Sequence, residues 1–329
     1  DGYTGATSPA TNAMGESIVG AIKKSSPNMK VVAFTPEVLA NKPLVLIGTF
    51  RPVNSKNDVT GPRDVHHVCL ALLDLKDGKI ISKGASRSLP EGVDTAPTQF
   101  FQDSPIFVSD TPTNAYIKTC QATKVGDPIE GAYADALVAS SLISQAIHAY
   151  ENKNYRDALD LYKSALRTPG GDQLRVYNGL YLASWRLKRQ KDAREAFGKL
   201  VDYGLKGSKV AVNFLFVPNS TIFYSSGRYL APYPMWLKVI AERGTAQNAC
   251  LEIVGHTSRK GPPAVNERLS VLRAQYVRDK IIDNAPALAN RTIATGVGSK
   301  ETIIGTETDG PHNALDRRVE FKPIACRQA

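Results

Sequence analysis

The sequence predicts a multi-domain chain of mixed α/β and α class, and three stretches carry that prediction. In the first third, apolar runs of strand length flank an Asp-Gly turn. From Ala132 to Leu205 the pattern turns helical, with its one breaking cluster at Pro169-Gly170-Gly171. Beyond that, strand and helix patterns alternate in the order βαβαββ. The expected layout is a small α/β domain with an N-terminal tether over residues 1–130, paired helices over 131–207 and a βαβαββ domain over 208–329. A length of 329 residues fits two or three domains.

Residues 1–14 are rich in Gly, Ser, Thr and Pro and read as a tether. Gly15 to Lys24 predicts a short helix with Ile18, Val19 and Ile22 on one side, and Val31–Phe34 a short strand. Pro43 to Phe50 is a second strand, with its proline at the edge where a strand tolerates one. Val65 to Leu75 alternates, and Lys76-Asp77-Gly78-Lys79 turns it into Ile80–Lys83. His66 and His67 are adjacent in that strand and face opposite ways, so they do not share a metal. Residues 86–112 read as a long loop.

In the helical stretch, Ala158-x-x-x-Tyr162-x-x-Ala165 recurs as Ala193-x-x-x-Phe197-x-x-Leu200, an offset of 35 residues. Helices around Leu142–Asn152 and Tyr177–Arg189 precede them in the same register, with Tyr150 matching Trp185. Small residues at Ala158 and Ala193 would let paired helices approach, with Tyr162 and Phe197 filling the gap between them. A plain linker of four amphipathic helices is the other reading. Further on, Asn213–Val217 is the expected first strand of the last domain, followed by a helix from about Arg228 to Glu242. Strands at Leu251–Val254, near Thr292–Gly296 and at Arg318–Lys322, with a helix from about Val265, complete the order, and Gly305–Asn313 is a polar loop.

The net charge is +10, and 42% of residues are hydrophobic. That is enough apolar content for ordinary cores. The basic residues are scattered, without zinc-finger spacing or an aromatic-basic ribonucleoprotein motif, so nucleic acid is not an expected partner. A solvated surface accounts for them, with cell-wall polymer or an anionic membrane surface as acidic alternatives. No apolar run reaches the ~18 residues of a membrane helix. Asp1 reads as a mature or trimmed start. Enzyme signatures are missing: no GxSxG, HExxH, Walker loop or strand-borne GxGxxG, and Gly296-Val297-Gly298-Ser299-Lys300 reads as a turn. No catalytic residue and no cofactor is expected. His256 at a strand end has a packing role as its first reading and general base as its second. Cys69, Cys120, Cys250 and Cys326 are too dispersed for a metal site. They fit two disulfides in an oxidising compartment, with four reduced buried thiols as the alternative.

Three family resemblances follow from these residues. The 35-residue recurrence is similar to tetratricopeptide repeats, whose period is about 34. Two such repeats would need capping by neighbouring domains. The stretch Gly255–Val277, GHTSRKGPPAVNERLSVLRAQYV, resembles the OmpA-like peptidoglycan-binding domain. The matching residues are Gly255-His256-Thr257, Gly261, Asn266, Leu269-Ser270, Arg273-Ala274 and Val277. Gly296-Val297-Gly298 and Arg317-Arg318-Val319-Glu320 resemble its later strands, so the likeness spans roughly Val212 to Pro323. Ser258 stands where the family has Asp after GHT, and Asp316 where it has Asn. The N-terminal hairpin is weakly similar to the small domain of penicillin-binding-protein activators.

The OmpA-like resemblance implies a ligand: the zwitterionic free end of the diaminopimelate side chain in uncrosslinked peptidoglycan. Arg273 would meet its carboxylate, in the bidentate geometry a guanidinium favours. Leu269 and Val277 flank Arg273 at four-residue spacing, and no acid lies three or four residues away on its helix. The amine would meet position 258, where serine offers a neutral acceptor. Losing the charge-assisted bond there would weaken binding by about 1–2 kcal/mol. Thr257, Asn266, Leu269 and Arg317 would line the rest of the wall, with a helix-start role as the alternative for Asn266. Cys250 precedes the second strand of this domain and Cys326 follows the last. If those strands are antiparallel neighbours the two pair, which leaves Cys69 with Cys120.

The resemblances imply a non-enzymatic periplasmic protein of a Gram-negative bacterium, associated with the outer membrane and lipid-anchored at its trimmed start. It would bind peptidoglycan through the OmpA-like domain and a protein partner through the repeats. The alternative is an interaction scaffold, or a regulator of envelope assembly or of a wall-synthesis enzyme, whose OmpA-like domain no longer binds the wall.

Overall fold

A computed structural model of the chain describes residues 1–2, 5–58, 64–89, 91–106, 110–207, 210–217, 219–223, 232–303 and 316–326. The chain packs as two compact units. Unit 1 comprises Asp1–Asp103 and Ser109–Ala183, and unit 2 comprises Ser104–Val108 and Ser184–Ala329.

In unit 1 the first helix, α1, runs Pro9–Ser25. It starts six residues before the expected Gly15 because Ser8 and Thr11 form a reciprocal cap. The Thr11 N–H donates to Ser8 Oγ (3.2 Å) and the Ser8 N–H to Thr11 Oγ1 (2.8 Å), with Pro9 preset for the first turn. The expected tether over 1–14 is corrected in the same way. Its first residues are pinned too, through the Gly2 N–H to the Phe50 carbonyl (2.9 Å) and Thr7 to Thr98 (3.0 Å). The expected strand at Val31–Phe34 does not form. Val31 and Val32 are exposed, and among the described residues no strand pairs with them. A short helix, α2 (Pro36–Leu39), capped by Thr35, follows instead.

The strands β1 (Leu44–Val53), β2 (Val65–Asp74) and β3 (Lys79–Ser88) form an antiparallel sheet in that order, turned at Gly78 with φ +65°. β3 runs five residues past the expected end at Lys83. The loop expected over 86–112 holds the end of β3, the short helix α3 (Gln99–Asp103) and the start of α4 (Thr111–Gln121). Phe100 and Phe101 bury themselves and pull α3 inward, while Asp110 caps α4 by accepting from the Thr113 N–H (3.1 Å). Helix α4 packs on β1 and β2. Val45, Ile47, Cys69, Ala71, Leu73, Ala115 and Cys120 meet there in one core, which the Cys69–Cys120 disulfide crosslinks.

Helices α5 (Gly131–Asp135), α6 (Leu137–Glu151), α7 (Tyr155–Leu166), α8 (Leu174–Arg186) and α9 (Gln190–Lys206) fill the expected helical stretch, and no strand interrupts it. α6 and α7 pack against each other. Ala158 and Tyr162 are fully buried. A Cβ added at Gly179 would lie 2.1 Å from the Tyr162 ring, so the glycine makes room for the aromatic. The 35-residue recurrence reaches the backbone of the two turns. Lys153 and Lys188 both adopt left-handed conformations, with φ of +63° and +60°. Their N–H groups donate to the Tyr150 and Trp185 carbonyls at 2.9 and 3.0 Å. The next residues, Asn154 and Arg189, bond Ala149 and Ser184 at 2.8 and 2.9 Å. Each is a helix end closed by a left-handed residue, filled by lysine rather than glycine.

In unit 2, Ala193 and Phe197 of α9 are fully buried, and the Phe197 ring stacks on Trp236 with centroids 5.7 Å apart. Ala193→Phe is therefore expected to destabilise the protein by about 1–3 kcal/mol through overpacking, measured by chemical denaturation. An unchanged midpoint would contradict the tight approach.

The remaining elements of unit 2 are β4 (Val210–Val212), α10 (Tyr233–Ala246), β5 (Cys250–His256), α11 (Pro263–Asn284), a 3-10 helix (Pro286–Arg291), β6 (Thr292–Gly298) and β7 (Val319–Ile324). The order is βαβαββ, as the sequence predicts. The sheet order is β4-β7-β5-β6, with β5 parallel to β6 and β7 antiparallel to β4 and β5. The first strand precedes its expected place at Asn213–Val217. β4 pairs with β7 through Val210–Val212, whereas the Asn213 N–H turns to the Pro105 carbonyl (2.9 Å). The expected helix start at Arg228 and the loop Gly305–Asn313 lie outside the described residues. Cys250 pairs across to Ile324, two residues before Cys326, and the two cysteines form the second disulfide with Cα atoms 5.2 Å apart. Alkylation of the unfolded, unreduced chain should label none of the four cysteines, and alkylation after reduction all four. Equal masses would rule out both bridges.

Candidate ligand site

Alternation along β5 and β7 divides the sheet of unit 2 into two faces. Leu251, Ile253, Val319 and Phe321 share the face on which α11 packs, and all are fully buried. Two glycines set how close the helix comes. A Cβ at Gly255 would lie 2.0 Å from the Ser270 carbonyl oxygen, and one at Gly296 would lie 2.4 Å from Ser270 Oγ. Ser270, buried on α11, then donates to the Glu267 carbonyl (2.7 Å) and accepts the Gly298 N–H (2.9 Å). The Gly298 carbonyl accepts the Thr257 N–H (2.9 Å). Helix, β6 end and β5 end are thus joined around Ser270, which the sequence marked only as part of a motif.

Residues 257–262 lead from β5 into α11. Asn266, buried in the helix's first turns, reaches back with Nδ2 to the carbonyls of Ser258 (3.3 Å) and Lys260 (3.1 Å). Its side chain shapes the loop, and Gly261 accommodates the bend with φ +94°. Thr257 and Ser258 are both buried. The Thr257 hydroxyl has no hydrogen-bond partner among the described residues. Such a group is normally satisfied, so it points to a ligand or solvent contact there.

Arg273 lies seven residues beyond Asn266 on the same helix, and it is buried. Its Nε donates to the Ser220 carbonyl (3.2 Å), and its guanidinium sits 4.8 Å from the centroid of the Phe216 ring. Phe216 and Phe223 bridge to each other, and Phe223 meets Tyr276 of α11 edge-on, with centroids 5.0 Å apart. The apolar seam read around Arg273 is therefore partly aromatic and comes from the segment after β4. The run Phe214-Leu215-Phe216 was the available signal for it. Leu269, between Asn266 and Arg273, is half-buried. Arg317 is half-buried too, next to Arg318, whose carbonyl accepts the His256 N–H (3.0 Å).

The opposite face of the sheet carries a buried charge cluster. Arg318 Nε donates to Glu320 Oε1 (2.8 Å), and His256 Nε2 lies 3.7 Å from Glu320 Oε2. His256 is fully buried here and faces a carboxylate. Asp316, fully buried, accepts the Ile303 N–H (2.6 Å). Among the described residues no group of three or more His, Cys, Asp or Glu could hold a metal ion. No described helix is long and apolar enough to cross a membrane.

No protein-family model matches the sequence, and no curated protein matches it. Among solved structures, the chain is similar to the peptidoglycan-associated lipoprotein from Burkholderia pseudomallei, at 18% identity over 36% of this chain and 90% of that one, with a TM-score of 0.29. It is also similar to the cell wall anchor of the T6SS from Pseudomonas aeruginosa, at 24% identity over 36% of this chain and 80% of that one, with a TM-score of 0.29. The periplasmic domain of Helicobacter pylori MotB aligns at 15% identity over 36% of this chain and 76% of that one, with a TM-score of 0.30.

Proposed function

We propose that residues 208–329 form an OmpA-like module that binds the free diaminopimelate end of peptidoglycan, within a non-enzymatic, periplasmic, outer-membrane-associated envelope protein. The observation that carries this reading is the placement of Arg273. It is buried on the helix whose first turns hold the Thr257-Ser258 loop through Asn266. Its guanidinium, with Nε on the Ser220 carbonyl, would meet the ligand carboxylate. The Thr257 hydroxyl would take a ligand polar atom, and Ser258 would accept from the amine without charge. Leu269 and Arg317 would close the sides.

In the same reading, residues 1–130 carry the small α/β domain, and 131–207 are tetratricopeptide-like repeats that hold a protein partner. A lipid would anchor the N-terminal side. Co-sedimentation of the full chain with purified sacculi tests the wall contact. Retention in the pellet, lost on Arg273→Ala, is the expected result. A second reading makes the module a protein-docking element or a regulator's scaffold. It is favoured by the bond Arg273 already makes to the chain's own Ser220 carbonyl, and it predicts no retention by sacculi.

A further inference from the structure

The outer edge of β3 is partly closed by the chain itself. Ile80 donates its N–H to the Asp127 carbonyl (3.0 Å) and accepts the Gly126 N–H (2.8 Å), and the Ile129 N–H reaches the Gly78 carbonyl (2.9 Å). Lys79 and Pro128 form an antiparallel bridge. This short segment covers only the first residues of the strand. From Ser82 to Ser88, no outward-facing backbone group has a partner among the described residues. That stretch reads Ser-Lys-Gly-Ala-Ser-Arg-Ser, and residues 84–87 are exposed. Edge strands are usually blunted by a proline, a bulge or a charge aimed outward. Here the one bulge lies before Ser82, there is no proline, the Lys83 ammonium is turned back onto the Thr123 carbonyl, and the exposed Arg87 guanidinium reaches back to the Ser55 carbonyl (3.3 Å).

The side chains beside that edge carry one sign of charge. Arg51, His67 and Arg87 are direct cross-strand neighbours in register across all three strands. Lys83, Ala85 and Arg87 stand on that same face by alternation. His67 stands between Arg51 and Arg87, so an acidic side chain brought to this edge would lie opposite a cation, the favourable cross-strand pairing. The chain supplies a precedent at the covered end, where the segment paired to Ile80 brings Asp127 to bear on Lys83.

We propose that the open edge of β3, residues 82–88, is a docking site for an extended acidic peptide segment of a partner protein, added as a fourth strand with a carboxylate beside Arg87. Backbone hydrogen bonds would provide the register and alternate acidic side chains the selectivity. The charge environment agrees. The His67 imidazole is held below its usual pKa, first by burial and then by Arg51, Arg87 and Lys83, whereas Asp127 acts to raise that of Lys83. A second copy of this chain is a poorer occupant, because pairing β3 with itself would set Lys83 and Arg87 against their own kind.

The probe is a capped decapeptide of alternating threonine and glutamate, added to the full chain while amide hydrogen exchange is followed. The expected result is slowed exchange confined to residues 82–88, with affinity lowered roughly tenfold by the exposed substitution Arg87→Glu. The same peptide methylated at every backbone nitrogen, and one with lysine for glutamate, should not bind. The proposal is overturned if exchange at 82–88 is unchanged at saturating peptide, or if the methylated or lysine peptide binds equally well. It is also overturned if Arg87→Glu has no effect, or if those amides become protected by raising the protein concentration alone, which would identify a second copy as the occupant.

Discussion

Replacing Glu320 with alanine is expected to destabilise the protein by about 3–5 kcal/mol, the usual penalty for breaking a buried ion pair on one side only. Glu320 and Arg318 are 1% and 4% exposed, and the guanidinium reaches the carboxylate at 2.8 Å. His256 and Lys322 lie 3.7 and 4.0 Å from the other carboxylate oxygen. Removing the carboxylate leaves Arg318 positive and desolvated on a central strand. Glu320→Leu combined with Arg318→Met removes both charges and should recover most of the loss. Chemical denaturation of the three proteins checks this. A single substitution costing under about 1 kcal/mol would mean the cluster is solvated rather than buried.

Arg273→Ala is expected to abolish binding of wall fragments that carry a free diaminopimelate end. Truncating one partner of a buried, hydrogen-bonded charge pair typically costs at least about 2–5 kcal/mol of binding energy. A millimolar site has about 4 kcal/mol in all, so a loss of that size takes binding out of the measurable range. Arg273→Lys should not rescue it. A lysine keeps the charge but not the planar fork, and it forfeits the bond now made by Nε to Ser220 as well as the flat contact with Phe216. Equilibrium dialysis with a labelled stem peptide distinguishes the variants, and retention by Arg273→Lys would show that charge alone suffices.

Much of unit 2 was legible because its signals are local. Leu251–Val254 alternates, Gly261-Pro262-Pro263 breaks the chain, and Asn266, Ser270, Arg273, Ala274 and Val277 recur at helical spacing. The disulfide Cys250–Cys326 was legible on the condition that the second and last strands are antiparallel neighbours, and the sheet meets that condition. The partners of Arg273 were not legible, since Phe216 and Ser220 lie more than fifty residues away in sequence and meet it only through tertiary packing. The displaced first strand has a similar cause. Asn213–Val217 has strand composition, yet pairing with β7 falls to Val210–Val212. In unit 1, α4 escaped notice because Thr111-Pro112-Thr113-Asn114 reads as a turn until Asp110 is seen capping it. Val31–Phe34 shows the converse: an apolar run of strand length stays unpaired among the described residues.

The account rests on a divided site, with a cation at 273 and a missing anion at 258. Calorimetric titration of the full chain with a stem peptide bearing a free diaminopimelate end tests it most directly. The expected result is weak binding by the native sequence, strengthened about tenfold by Ser258→Asp and absent in Arg273→Ala. If Ser258→Asp leaves the heat and affinity unchanged, and Arg273→Ala changes nothing either, the module does not grip the zwitterion and the wall-binding reading is contradicted.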